Sequence, residues 1–131
     1  MPNIVDMASR EQEDYLESIY DLIGRKGHAR IKDIASDLGV KPPSVTGMLA
    51  KLHRDGLVEY EKYGGARLTM AGRKIGAETR EKHEVLRKFL TTIGVPEKIA
   101  NEDACTMEHS LHKETTNRIK KFFSKTGKRK R

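Results

Sequence analysis

Apolar positions in the first half of the chain fall into three short stripes of helical period. Leu16, Ile19, Tyr20 and Ile23 sit at i, i+3, i+4 and i+7, which places them on one helix face. Ser9 and Gln12 have capping-box spacing ahead of that stripe, so the spacing predicts a helix from there to about Arg25, stopped by Lys26-Gly27. Ile31, Ile34, Ala35 and Leu38 form a second, shorter stripe ended by Gly39. The third, Val45, Met48, Leu49 and Leu52, follows Pro42-Pro43, which suits a helix start because first-turn N–H groups have no internal partner. Asp55-Gly56 ends it.

The period then changes. Residues 57–63 alternate, Gly64-Gly65 can take positive φ, and Ala66–Thr69 follow, which predicts a short β-hairpin. Thr69 can cap a long helix from Ala71 to about Ile93, closed by Gly94 with Pro96 beyond it. A short helix over Pro96–Asn101 and another from about Asp103 to Phe123 are expected next. Ser124–Arg131 holds no large apolar residue and is expected to be disordered. These elements give a mainly α fold: a winged helix-turn-helix with a two-stranded wing, followed by a helical segment.

Charge sharpens the picture. Residues 25–74 carry eleven bases and five acids, and residues 118–131 eight bases and no acid. Residues 1–24 instead carry one base and six acids, and 75–117 six bases and eight acids. A basic block bracketed by acidic ones points to a nucleic-acid surface, because neutralised phosphates release counterions. No apolar run reaches the roughly 20 residues of a membrane span. The first residues lack the basic and apolar regions of a signal peptide. The single cysteine, Cys105, excludes an internal disulfide framework and fits a cytoplasmic protein.

In a winged helix-turn-helix the second helix of the motif enters the major groove, N-terminus first. Opposite the Val45/Met48/Leu49/Leu52 stripe lie Ser44, Thr46, Gly47 and Lys51, which with Pro43 are the candidate groove residues. Lys51, Arg54 and Arg67 are placed for phosphate, which positions without specifying. The first two turns carry no Arg, Asn or Gln for bidentate base readout, so DNA shape is expected to supply much of the specificity.

Some of the polar residues fall at metal-ligand spacing. Asp14 and Glu17 are i, i+3 on the first helix, and Cys105, Glu108 and His109 are i, i+3, i+4 further on, with His83 midway along the helix between. Thiolate, imidazole and carboxylate together suit a divalent transition ion better than Mg²⁺ or Ca²⁺. The same residues also have a purely structural reading, as a buried thiol, a satisfied histidine and first-turn charges. An enzyme is less supported, since neither a nucleophile elbow nor a glycine-rich phosphate loop occurs.

Four segments resemble the diphtheria toxin repressor family, which includes manganese transport regulators. They are Asp14-Tyr15-Leu16-Glu17-Ser18-Ile19-Tyr20, Pro43-Ser44-Val45-Thr46, Arg54-Asp55-Gly56-Leu57-Val58 and Cys105-Thr106-Met107-Glu108-His109. The resemblance extends from about Glu11 to Phe123. It implies a homodimer that binds palindromic operator DNA when loaded with Fe²⁺ or Mn²⁺, one or two ions per subunit. It also implies metal ligands at Asp14, Glu17, His83, Cys105, Glu108 and His109. The corresponding division is a DNA-binding domain over 1–75, a dimerisation and metal-binding domain over 76–123, and a basic tail over 124–131.

The chain departs from both branches of that family. Iron sensors carry methionine at the Asp14 position and cysteine at 105, whereas manganese sensors carry aspartate and glutamate, so this donor set is a hybrid. Arg87 and Asn101 stand where iron sensors place a glutamate and a histidine of an ancillary site, which is therefore expected to be lost. Gly47 replaces a glutamine of some members, and the SH3-like domain of larger relatives is expected to be absent. The thiolate tips the expected ion toward Fe²⁺, with Mn²⁺ the alternative. The rival functional reading is a metal-independent winged-helix regulator whose His/Cys/Glu cluster is structural.

Overall fold

The computed structural model describes residues 8–61 and 65–129, with side chains as far as Phe123. Six helices and one hairpin follow in the order α1 (Arg10–Lys26), α2 (Ile31–Leu38), α3 (Pro42–Arg54), β1 (Val58–Glu61), β2 (Gly65–Leu68), α4 (Met70–Thr92), α5 (Glu97–Met107) and α6 (Lys113–Arg129). They form two compact units, Met1–Arg80 and Glu81–Arg131.

In the first unit, α1 starts as its capping box requires. Ser9 Oγ accepts from Gln12 N and Gln12 Oε1 accepts from Ser9 N, both at 3.1 Å. Gln12 also reaches beyond its own helix. Its Nε2 donates to Asp55 Oδ2 at 2.8 Å, tying the start of α1 to the end of α3. Ser18 Oγ donates to Asp37 Oδ2 at 2.7 Å and ties α1 to α2. Leu16, Ile19, Ile34, Val45, Leu49 and Leu52 from the three helices are fully buried with Leu57, Val58 and Ile75. The third stripe is buried over its full length, Met48 included. Tyr20 and Ile23 are only half-buried.

The wing is the antiparallel pair Val58↔Leu68, Glu59↔Arg67, Tyr60↔Ala66 and Glu61↔Gly65. Gly65 has φ +84°, and a Cβ there would collide with the backbone oxygen of Ala29. Ala66 N donates to that oxygen at 2.8 Å, so β2 is fastened to the α1–α2 loop. Thr69 caps α4 as expected: its Oγ1 accepts from Gly72 N at 3.1 Å and donates to Gly56 O at 2.7 Å. Where α4 crosses α1, Gly76 allows a backbone approach that a side chain would block, since a Cβ would lie 2.6 Å from Leu16 O.

The second unit departs from the expected helix boundaries. The helical break foreseen near Glu102 does not occur: α5 runs unbroken from Glu97 to Met107. The break comes instead after Met107, so the expected helix from Asp103 to Phe123 is two helices. Ser110 N and Leu111 N both bond Met107 O, at 2.9 and 3.0 Å, and fold the chain into a turn there. Nothing in the spacing of Met107, Leu111, Ile119 and Phe122 marks that turn, because a stripe can continue across it. Beyond Phe123, α6 continues to Arg129 where disorder was expected from Ser124; Lys130 and Arg131 lie outside the described residues. Lys120 Nζ to Glu81 Oε2 at 2.8 Å and an edge-on Phe89–Phe123 contact join α6 to α4.

Candidate metal centre and DNA-binding face

The last turn of α5 and the middle of α4 build the metal-ligand cluster. Cys105 lies in that last turn and is exposed. Glu108 is the C-cap, its N bonded to Ala104 O at 2.9 Å, which carries its side chain inward to full burial. His83 on α4 is 5% exposed and meets it, with Nδ1 3.0 Å from Glu108 Oε1. Ligand atoms of His83, Cys105 and Glu108 all lie within 4.8 Å of one another. Among the described residues these are the groups of this kind close enough to share an ion.

The donor set passes a test independent of spacing. Glu108 Oε2 is buried with no hydrogen-bond partner. A buried polar atom left unpaired costs about 1–3 kcal/mol, and more for a charged group. A divalent cation beside Cys105 and His83 would satisfy that oxygen. The residues fit a metal ion.

Three of the six residues expected as ligands are thus assembled in the second unit. His109 follows them in the turn after α5 and is half-buried. Asp14 and Glu17 lie one turn apart on α1 in the first unit, both half-buried, with Glu17 Oε2 3.8 Å from an Arg80 guanidinium nitrogen. Both residues at the ancillary positions have other partners. Arg87 bonds Glu97 at 2.7 Å and Glu84 at 3.3 Å. Its guanidinium pKa is raised, chiefly by the hydrogen bond to Glu84, so the position keeps its positive charge. Asn101 Oδ1 lies 2.6 Å from His83 Nε2. Sequence reading missed this contact because the helix break expected near Glu102 would separate Asn101 from Cys105. On the continuous α5 they are four residues apart on one face.

The face expected from the sequence to meet DNA is exposed. Pro43, Ser44, Thr46, Gly47, Lys51, Arg54 and Arg67 are all solvent-exposed. Thr46 Oγ1 donates back to Pro42 O at 3.3 Å, so groove contact would use its remaining capacity. An added Cβ on Gly47 would meet nothing within 4 Å, leaving the helix surface flat there. Arg67 is held across the wing by Glu61 at 2.5 Å, a competitor for any phosphate.

Comparison with known proteins decides what this combination belongs to. Residues 7–66 match the iron dependent repressor N-terminal DNA binding domain, and residues 69–129 match the iron dependent repressor metal binding and dimerisation domain. The chain belongs to the iron-dependent repressor family. It is 46% identical over 113 residues to the HTH-type transcriptional regulator MntR of Bacillus subtilis (strain 168), covering 86% of this chain and 80% of that one. Identity to MntR of Geobacillus kaustophilus is 47% over the same shares. Among solved structures, the manganese regulator SloR superposes with a TM-score of 0.76 at 31% identity, over 86% of this chain and 53% of that one. The structure of T. acidophilum IdeR gives 0.76 at 32%, with the same coverage. This chain thus spans about half the length of those two structures. As an iron-dependent repressor relative it is a metal-dependent transcriptional regulator, with a DNA-binding and a dimerisation domain. None of its described helices is long and apolar enough to cross a membrane.

Proposed function

We propose that this chain represses transcription as a homodimer on palindromic operator DNA when it holds a divalent transition ion, with Fe²⁺ preferred. The observation that carries this reading is the buried, unpartnered Oε2 of Glu108 beside His83 and Cys105. His109, Asp14 and Glu17 complete the ligand set, supported by their spacing and by the resemblance of their segments. Bound there, the ion supplies a Lewis-acidic centre that the carboxylates, thiolate and imidazoles can share.

Asp14 and Glu17 belong to the helix whose first turn is bolted to α3 by the Gln12–Asp55 bond. An ion held by Asp14 and Glu17 together with His83, Cys105, Glu108 and His109 would restrain that helix, and α3 with it. In the dimer, the two α3 helices would then be held about one DNA turn apart, ~34 Å, or a multiple of it. Ser44, Thr46 and Gly47 meet base edges while Lys51, Arg54 and Arg67 meet phosphate. Exposed Ile93, Ile99 and Phe122 in the second unit supply apolar surface for the partner subunit.

Fe²⁺ is preferred because the Cys105 thiolate is a softer donor than the glutamate of manganese sensors. Mn²⁺ is the second reading, favoured by the names MntR and manganese regulator among the relatives. Fluorescence anisotropy of labelled operator duplex tests both, with chelated protein, anaerobic Fe²⁺ and Mn²⁺ at matched free concentration. A rise in affinity of about tenfold or more, larger with Fe²⁺, is expected, within the usual range of allosteric coupling. A larger rise with Mn²⁺ selects the second reading. Tight binding indifferent to metal overturns both and leaves a winged-helix regulator with a structural cluster.

A further inference from the structure

The environment of His83 assigns a role to a residue outside the expected ligand set. Nε2 of His83 is 2.6 Å from Asn101 Oδ1, and Nδ1 is 3.0 Å from Glu108 Oε1. A neutral imidazole has one N–H donor and one lone pair, and an amide oxygen can only accept. The short contact to Asn101 therefore places a hydrogen on Nε2. Nδ1 is left to face a carboxylate oxygen that is itself electron-rich. That juxtaposition is favourable when a positive charge lies between the two, and Cys105 Sγ belongs to the same cluster within 4.8 Å. Metal-bound histidines commonly donate their second ring N–H to an oxygen acceptor, which fixes tautomer and ring orientation and raises ligand basicity.

We propose that Asn101 is the positioning residue of His83: it holds the hydrogen on Nε2 and so presents Nδ1 to a divalent cation shared with Glu108 and Cys105. The proposal rests on the metal-sensor reading and deepens it. Asn101 is exposed on α5, one turn before Cys105, so one helix carries a ligand and the residue that orients another. With Nε2 bonded to the amide, His83 offers one nitrogen to metal and serves a single ion. Arg87, one turn along α4 from His83, is engaged by Glu97 and Glu84. A position lost to an ancillary site thus acquires a different role at the remaining one.

Two variants of the full chain separate positioning from mere structure. Asn101→Leu keeps the approximate shape without an acceptor, and Asn101→Asp restores an oxygen in its place. Long-range ¹H–¹⁵N correlation reads the His83 tautomer in metal-free and Zn²⁺-loaded protein. Co²⁺ titration, followed by thiolate-to-cobalt charge-transfer absorption, reads affinity. The wild-type chain and Asn101→Asp are expected to carry hydrogen on Nε2 in both states. Asn101→Leu is expected to lose that fixed tautomer and to bind Co²⁺ about 10–100-fold more weakly, with unchanged circular dichroism. An Asn101→Leu chain with the same tautomer and affinity overturns the proposal while leaving the metal reading intact. Wild-type protein that binds no Co²⁺ overturns the metal reading. In that case the metal-free spectrum still decides the role of Asn101, since Nε2 without a hydrogen refutes it.

Discussion

Glu108→Gln separates a metal ligand from a structural glutamate, because the two roles predict different patterns of stability. The side chain is fully buried, Oε1 lies within hydrogen-bond distance of His83, and Oε2 has no partner. Glutamine keeps the shape, removes the charge and can turn an amide N–H toward the lone pair on His83 Nδ1. An unpaired buried polar atom costs about 1–3 kcal/mol, and a charged one more, so the metal-free variant is expected to be as stable as the wild type or slightly more so. Metal linkage then works in the opposite direction. An ion at a hundred times its Kd stabilises the native state by about 2.7 kcal/mol. At roughly 2–8 °C per kcal/mol for domains of this size range, that is a rise in Tm on the order of 10 °C. Thermal unfolding of both proteins, with chelator and with anaerobic Fe²⁺ or Mn²⁺, should show the rise in the wild type alone. If Glu108→Gln lowers the chelated Tm as much as the loaded one, Glu108 is a structural partner of His83 and the reasoning fails.

Other outcomes follow from the first unit. Gly76→Ala should destabilise by roughly 1–3 kcal/mol in urea titration, because its Cβ would press on Leu16 O, whereas Gly47→Ala, with open space around it, should stabilise by up to about 1 kcal/mol. Lys51→Ala should weaken binding to operator and random duplex alike and reduce the slope of log affinity against log salt by about 1. Equal slopes would take Lys51 off the phosphates. The Asp33 carboxyl is held below its ordinary pKa, chiefly by the hydrogen bond from Lys26 and also by Arg30 N. Its contribution is therefore complete above the unfolded carboxyl range near pH 4 and is lost as pH falls through the lower folded value. Asp33→Asn should flatten the acid limb of stability against pH, with little change in that slope above about pH 5.

Where local signals agreed, the chain alone was sufficient. Ser9 with Gln12, Gly39 and Thr69 mark helix ends through bonds made within four residues, and Pro42-Pro43 marks one by lacking N–H donors that a first turn could not use. The Val45/Met48/Leu49/Leu52 stripe is buried and the residues opposite it are exposed, because a helix of known period has little freedom to turn its apolar face outward. The exposure of Ser44, Thr46, Gly47 and Lys51 was legible for the same reason. Spacing also paired Cys105 with Glu108.

Tertiary structure decided what depends on contacts between residues far apart in the chain. The turn after Met107 carries no breaker in the sequence, yet it makes Glu108 a C-cap and sends its carboxyl inward. The approach of His83 to Glu108 spans 25 residues and that to Asn101 spans 18, so no local period could announce either. The unpaired Oε2 of Glu108 is likewise a property of everything packed around it. Short-range hydrogen bonds and periodic burial are written residue by residue in this chain, whereas the partner of a buried polar atom is chosen only when the helices meet.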